Sequence, residues 1–172
     1  MFTNTAKAGG VYKVVCHDAD GNFKWEESTH NLVVNEGLQD MNTKYFSGSS
    51  YTAAWYLGLI TGPGSGTTIA AADTLASHAG WTEFTNYSGN RKAVTFGTAT
   101  TADPSVIDNS GSPSQFSISG AGGVVAGAFL CSVSSGTSGT LFSASDFQSP
   151  GDRTVVSGDT LTVTYTFSLD AA

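Results

Sequence analysis

Charge is scarce in this 172-residue chain, and positive charge is the scarcer kind. Seven Lys and Arg stand against fourteen Asp and Glu, charged residues make up 12%, and the formal net charge is −7. A typical soluble domain carries about 25% charged residues. A phosphate backbone is held by clustered Lys and Arg, whereas Arg91-Lys92 is the one adjacent basic pair here. That excludes a nucleic-acid footprint and attraction to an anionic membrane surface. Cysteine is nearly absent. Cys16 and Cys131 each sit in an apolar run, which predicts buried reduced thiols rather than a bridge. Long apolar segments are missing as well. The longest, "GGVVAGAFLC", is about half of what a membrane-spanning helix needs. The opening "MFTNTAKAGG" has no apolar stretch of the kind a secretory signal uses. The expectation is a soluble chain made in the cytoplasm and used there or released by lysis.

The motifs that carry chemistry are incomplete in the same manner. Asp73, Ser77 and His78 supply the three residue types of a hydrolase triad within "ADTLASHAGWTEFTNY". A triad needs side chains converging from separate segments. Ser77 and His78 are neighbours, which in extended backbone point to opposite sides, and no Gly-x-Ser-x-Gly elbow exposes the serine. The stretch reads instead as a structural corner: a short helical turn with Asp73 capping "TLASHA" and Gly80 ending it. The run "DADGN" offers alternating oxygens to a hard cation. Counted from Asp18, however, the positions where an EF-hand loop needs Gly and Glu hold Phe23 and Thr29, so a hairpin turn is expected. "GPGSGTT" is glycine-rich without the lysine of a phosphate loop. His17, His30 and His78 share no metal-ligand spacing with each other or with the cysteines. No catalytic, cofactor-binding or metal-ligating residue is assigned, and no enzymatic activity is expected.

What the chain has in quantity is Gly, Ser, Thr and well-spread aromatics, the mix of a strand-rich protein with tight turns. "VYKVVCHDADGNFKWEE" gives two strands around an Asp-Gly turn. "NLVVNEGLQDMNTKYF" is the one helix: Asn35 can cap it, Glu36 suits its first turn, and Leu38, Met41 and Tyr45 recur at spacings of three and four. Gly37 weakens it, so that about three turns are expected. "AAWYLGLIT", "RKAVTFGTAT", "SQFSIS" and "VVAGAFLCSV" read as strands. "DTLTVTYTFSLD" is the clearest, with Leu161, Val163, Tyr165, Phe167 and Leu169 on one face and Thr162, Thr164, Thr166 and Ser168 on the other. Some eight strands and one early helix predict an all-β antiparallel sandwich, jelly-roll-like. Residues 1–10 are expected to form an N-terminal arm and 11–172 a single domain. Scattered aromatics in strands serve as core or as subunit interface. The candidate interface residues are Phe2 on the arm together with Trp55, Trp81 and Tyr87.

In this order, "THNLVVNEGLQDM", "WYLGLITG", "AAADTLASHAGWTEFTNY", "VAGAFLCS" and "SGDTLTVTYTFSL" resemble a group of small β-rich virion proteins of tailed bacteriophages, encoded near the major capsid gene. The likeness runs from about Thr29 to Leu169. It implies a capsid cement or decoration protein seated on the outer shell as a homo-oligomer, dimer or trimer, with the major capsid protein as partner and no catalytic residues to carry over. Such a protein bridges capsomers through buried contact area, which symmetric assembly multiplies. The arm and "GPGSGTTIAAAD" are the segments best suited to reaching a neighbour. The rival expectation is a tail or fibre component whose exposed aromatics bind host glycans.

Overall fold

The structure, a computed structural model, describes residues 5–48, 50–51, 54–62, 67–148 and 151–171. In chain order its elements are β1 (Lys7–His17), β2 (Phe23–His30), β3 (Leu32–Val33), α1 (Asn35–Phe46), β4 (Tyr56–Thr61), β5 (Thr82–Phe84), β6 (Lys92–Ala93), β7 (Ser105–Asp108), β8 (Ser114–Ser117), β9 (Gly123–Val125), β10 (Gly127–Cys131), β11 (Leu141–Asp146), β12 (Arg153–Val155) and β13 (Thr160–Asp170). Every pairing between these strands is antiparallel. One sheet runs β2-β1-β13-β7, with β8 also on β13. The other runs β3-β11-β10-β4-β5, with β6 also on β4, and β9 and β12 form a small ribbon. The antiparallel sandwich with one short helix is as expected. This strand order does not establish the jelly-roll subtype.

The "DADGN" turn closes the β1–β2 hairpin for a local reason. The Asp18 carboxylate accepts the backbone N–H groups of Asp20 at 2.9 Å and Asn22 at 2.8 Å, and Gly21 takes the positive φ of 84° that the reversal requires. The hydrogen bonds from Asn22 hold the Asp18 carboxyl below its ordinary pKa. Its oxygens are spent on the turn.

β13 pairs with β1 over its whole length, from Lys7 opposite Asp170 to His17 opposite Thr160. Lys7–Gly10 are therefore strand, and the arm expected over residues 1–10 is corrected at that end; Phe2 lies outside the described residues. Alternation in β13 is as read: Leu161, Val163 and Tyr165 are fully buried, while Phe167 is partly covered and Leu169 is 43% exposed. The pattern fades where the partner sheet ends.

Two apolar clusters flank the second sheet. On its inner face Leu57, Leu59, Ala128, Leu130 and Phe142 meet Tyr12, Val14, Phe116, Leu161 and Val163 from the first sheet. On its outer face Val34, Ile60, Leu75, Trp81, Phe129, Cys131 and Leu141 form a second cluster. Residues of β4, β10 and β11 thus alternate between two cores, which is why β10 is buried at every position. Inside the first cluster sits a polar knot. The Tyr12 hydroxyl lies 2.7 Å from the Ser143 hydroxyl, Ser143 Oγ donates to the Tyr165 hydroxyl at 3.3 Å, and Asn31 Nδ2 donates to that same hydroxyl at 2.9 Å. Satisfied in this way, three buried hydroxyls avoid the desolvation cost of an unpaired group.

The helix departs from its sequence reading at both ends. Val34 is the N-cap and Asn35 lies inside, since the Val34 carbonyl accepts the first helical bond, from the Leu38 N–H at 3.0 Å, while the Asn35 N–H goes to the Ala71 carbonyl at 2.8 Å. Glu36 does serve the first turn, and its carboxylate also accepts the Leu141 N–H at 2.8 Å, tying α1 to the start of β11. Of the three residues read onto its apolar face, Met41 packs partly buried against the inner cluster, while Leu38 and Tyr45 are exposed. The helix docks instead through Gly37, its one buried residue, which lies so close to the Phe142 backbone that a Cβ would collide with the carbonyl. A residue read as weakening the helix is what lets it approach the sheet. The stretch "RKAVTFGTAT" is strand only at Lys92–Ala93.

Candidate functional site

The Asp73–Trp81 corner is a tight turn and not the short helix expected, with Thr74 bridged to Ser77. Asp73 does hold the corner, from a different position. One carboxylate oxygen accepts the Ala70 N–H and the Trp81 indole N–H, each at 3.0 Å. His78 stacks on Trp81 with ring centroids 3.7 Å apart, and its Nδ1 lies 2.9 Å from the Trp81 carbonyl oxygen. Ser77 is exposed and bonds only back to Thr74 through its backbone. Among the described residues no hydrogen bond joins Ser77 to His78 or His78 to Asp73. The three side chains work separately, two of them on one tryptophan. They fasten Trp81, 2% exposed, over the outer face of the second sheet.

Of the candidate interface residues, Trp81 and Tyr87 are corrected to core, at 2% and 6% exposure. Trp55 is half-buried and meets Phe142 edge-on at 5.3 Å. The adjacent basic pair is equally occupied. Arg91 is buried, gives a two-pronged bond to Glu83 at 2.9 and 2.7 Å, and donates to the carbonyls of Val133 and Gly136. Lys92 lies over the Tyr87 ring, 5.3 Å from its centroid. Both cysteines are buried and unbridged, Cys16 in the inner core and Cys131 in the outer. Burial pushes the Cys16 thiol up to about 11 and raises Cys131 as well, so neither is a reactive thiolate at neutral pH.

The exposed aromatics lie elsewhere: Phe23 at the start of β2, and a group at and after the C-terminal end of α1. Tyr45, Phe46 and Tyr51 are 83%, 78% and 70% exposed, the two helical rings meeting edge-on at 4.9 Å. Lys44 Nζ donates to the Ser50 carbonyl at 2.8 Å. The spacing puts Tyr45 on the helix's apolar face, and nothing in the letters marks the pair as solvent-facing. A second feature had no sequence signal. It is an open pocket of about 290 Å³ lined by residues of the β2–β3 junction, the Thr67–Ile69 segment and the end of β11. Among the described residues no group of three His, Cys, Asp or Glu side chains could hold a metal ion, and no helix is long and apolar enough to cross a membrane. Comparison with protein-family models, curated proteins and solved structures finds no match to this chain.

Proposed function

We propose that this chain is a non-enzymatic virion protein that binds the outer shell of a phage head, bridging capsomers as a homo-oligomer. The observation that carries the reading is the exposed Tyr45–Phe46 pair at the end of α1, a solvent-facing aromatic surface in a chain otherwise short of charge. Interfaces are anchored by aromatic residues at a centre depleted of charge. A folded body with two tied cores suits a part whose work is contact area. The likeness of "ADTLASHAGWTE" and the closing strand to small virion proteins agrees with this reading. The test is head composition and position. Purified heads should carry the chain in numbers comparable to the shell protein, on the outside, and a Tyr45→Ala/Phe46→Ala variant should bind shells at least tenfold more weakly with an unchanged fold. Absence from heads, or a handful of copies at the tail tip, would overturn it. The rival tail or fibre reading calls on exposed aromatics that bind host glycans, which the same Tyr45–Phe46 surface offers, so copy number and position on the particle separate the two.

A further inference from the structure

Among the edges of the two sheets, one is both long and bare. The flank of the first sheet formed by β7 and β8 is covered by the chain that crosses it. Ser88 N–H donates to the Ser117 carbonyl at 2.9 Å, Gly97 N–H to the Asp108 carbonyl at 2.8 Å and Thr100 N–H to the Val106 carbonyl at 2.8 Å. The end strands of the second sheet, β3, β5 and β6, are two or three residues long. Covering and shortness are ways in which sheets avoid joining other chains. β2, at the remaining edge, runs for eight residues with β1 as its one strand partner among the described residues.

The ladder shows which groups of β2 face outward. Asn31 N–H donates to the Gly10 carbonyl at 2.9 Å, one step beyond the Val11–His30 pair. Bonded and non-bonded pairs alternate along an antiparallel ladder. Thr29, Glu27 and Trp25 therefore turn their N–H and C=O groups to β1, and Lys24, Glu26, Ser28 and His30 turn theirs away. No backbone group of a described residue outside the β1 ladder bonds to those four, and their side chains are exposed.

Charges on an edge strand usually discourage pairing, but Lys24 and Glu26 differ in sign and stand two residues apart. When two copies of β2 run antiparallel about a two-fold axis through Trp25, Lys24 of each copy lies opposite Glu26 of the other, in bonded pairs made by the outward groups. Opposite charges across a strand pair stabilise it, whereas an axis through Glu26 would set two carboxylates face to face. On the other face the same register places the two Trp25 residues in a close, non-bonded pair. It also draws in Phe23, 63% exposed where the strand begins. The Lys24 ammonium already answers the buried Asp159 carboxylate at 2.6 Å, so its attraction across the axis is shared and the backbone bonds carry most of the contact.

We propose that β2 pairs antiparallel with β2 of a second copy of this chain, joining the first sheets of two molecules into one continuous sheet. A contact of one strand per partner falls at the low end of interface sizes, below roughly 1,200 Å², so the dimer is weak and depends on concentration. The pairing goes beyond the shell reading and does not rest on it, because two copies join in free solution.

The experiment is sedimentation equilibrium of the full chain from about 1 μM to 1 mM, the span of moderate to weak affinities. The mass should rise from one chain toward two. Glu26→Pro removes an N–H that points away from β1, a place where edge strands tolerate proline. It should leave the monomer folded and raise the dissociation constant about tenfold or more. Glu26→Lys sets like charges across the axis and leaves Asp159 its partner. It should weaken the dimer in the same way, and it carries the test if the proline variant fails to fold. Amide exchange at Lys24 and Glu26 should slow as concentration rises. Tyr45→Ala/Phe46→Ala should dimerise as the unaltered chain does, which separates this contact from shell binding. A chain that stays monomeric throughout would overturn the proposal. So would unchanged dimerisation in the folded Glu26 variants, or a dimer lost in Tyr45→Ala/Phe46→Ala alone.

Discussion

The two sheets of the sandwich handle their outer faces differently. The β2-β1-β13-β7 sheet presents Thr162, Thr164 and Thr166, partly covered, on the side away from the core, and buries Leu161, Val163 and Tyr165 on the other. The β3-β11-β10-β4-β5 sheet has no such polar side in its centre. There Ile60, Phe129, Cys131 and Leu141 point outward and are still buried, because Trp81, Leu75 and Val34 close over them. Strand alternation therefore reports whether a sheet has one neighbour or two, and only the one-sided sheet writes its burial plainly into the letters. The Asp73–Trp81 corner, the feature most suggestive of catalysis, is what makes the second sheet two-sided.

The largest effect should come from removing that cover. Trp81→Ala is expected to cost about 3–5 kcal/mol by urea denaturation, the range for a large core aromatic, and so to match Phe116→Ala in the inner core. A loss below a third of the Phe116 value would reduce the outer layer to decoration. Next comes the helix. Gly37→Ala forces a methyl against the Phe142 carbonyl and should cost about 1–3 kcal/mol, as overpacking does. A neutral result would mean that α1 does not rest on β11 through this residue. The thiols sharpen the comparison further. Cys16 and Cys131 sit in different cores with raised pKa values. Both should stay unlabelled by a disulfide reagent at pH 8 until urea unfolds the chain. Cys131 labelling well before Cys16 would show the outer layer opening on its own. The smallest effect belongs to the polar side: Thr164→Val should change stability by no more than about 0.5 kcal/mol.

The hairpin at "DADGN", the period-two strand at Thr160–Asp170 and the existence of the helix were legible because each is local: a turn, an alternation, a spacing. The outer core was not. "GAFLC" is apolar at successive positions whether it is covered by helices, by a corner or by another chain, and nothing near Trp81 in sequence says that β10 lies beneath it. Asn35 looked like a cap since Asn suits caps, yet the first helical bond goes to the Val34 carbonyl and the helix starts one residue earlier. Trp81 and Tyr87 looked available for an interface since aromatics serve core and interface alike. The open pocket at the β2–β3 junction was invisible for the same reason: Asn31, Thr67 and Ser145 are ordinary residues until the β11–β3 pairing and the Thr67–Ile69 segment bring them to one place.

The union of β1 with β13 has a bearing on how the molecule comes to be made. β1 leaves the ribosome early, bonded on one flank to β2, while its other flank waits for nearly the whole remaining chain. During synthesis that bare flank is sticky toward other nascent copies, and contacts of such long reach close slowly. Yield on expression should therefore depend more on temperature and translation rate than the finished protein's stability would suggest.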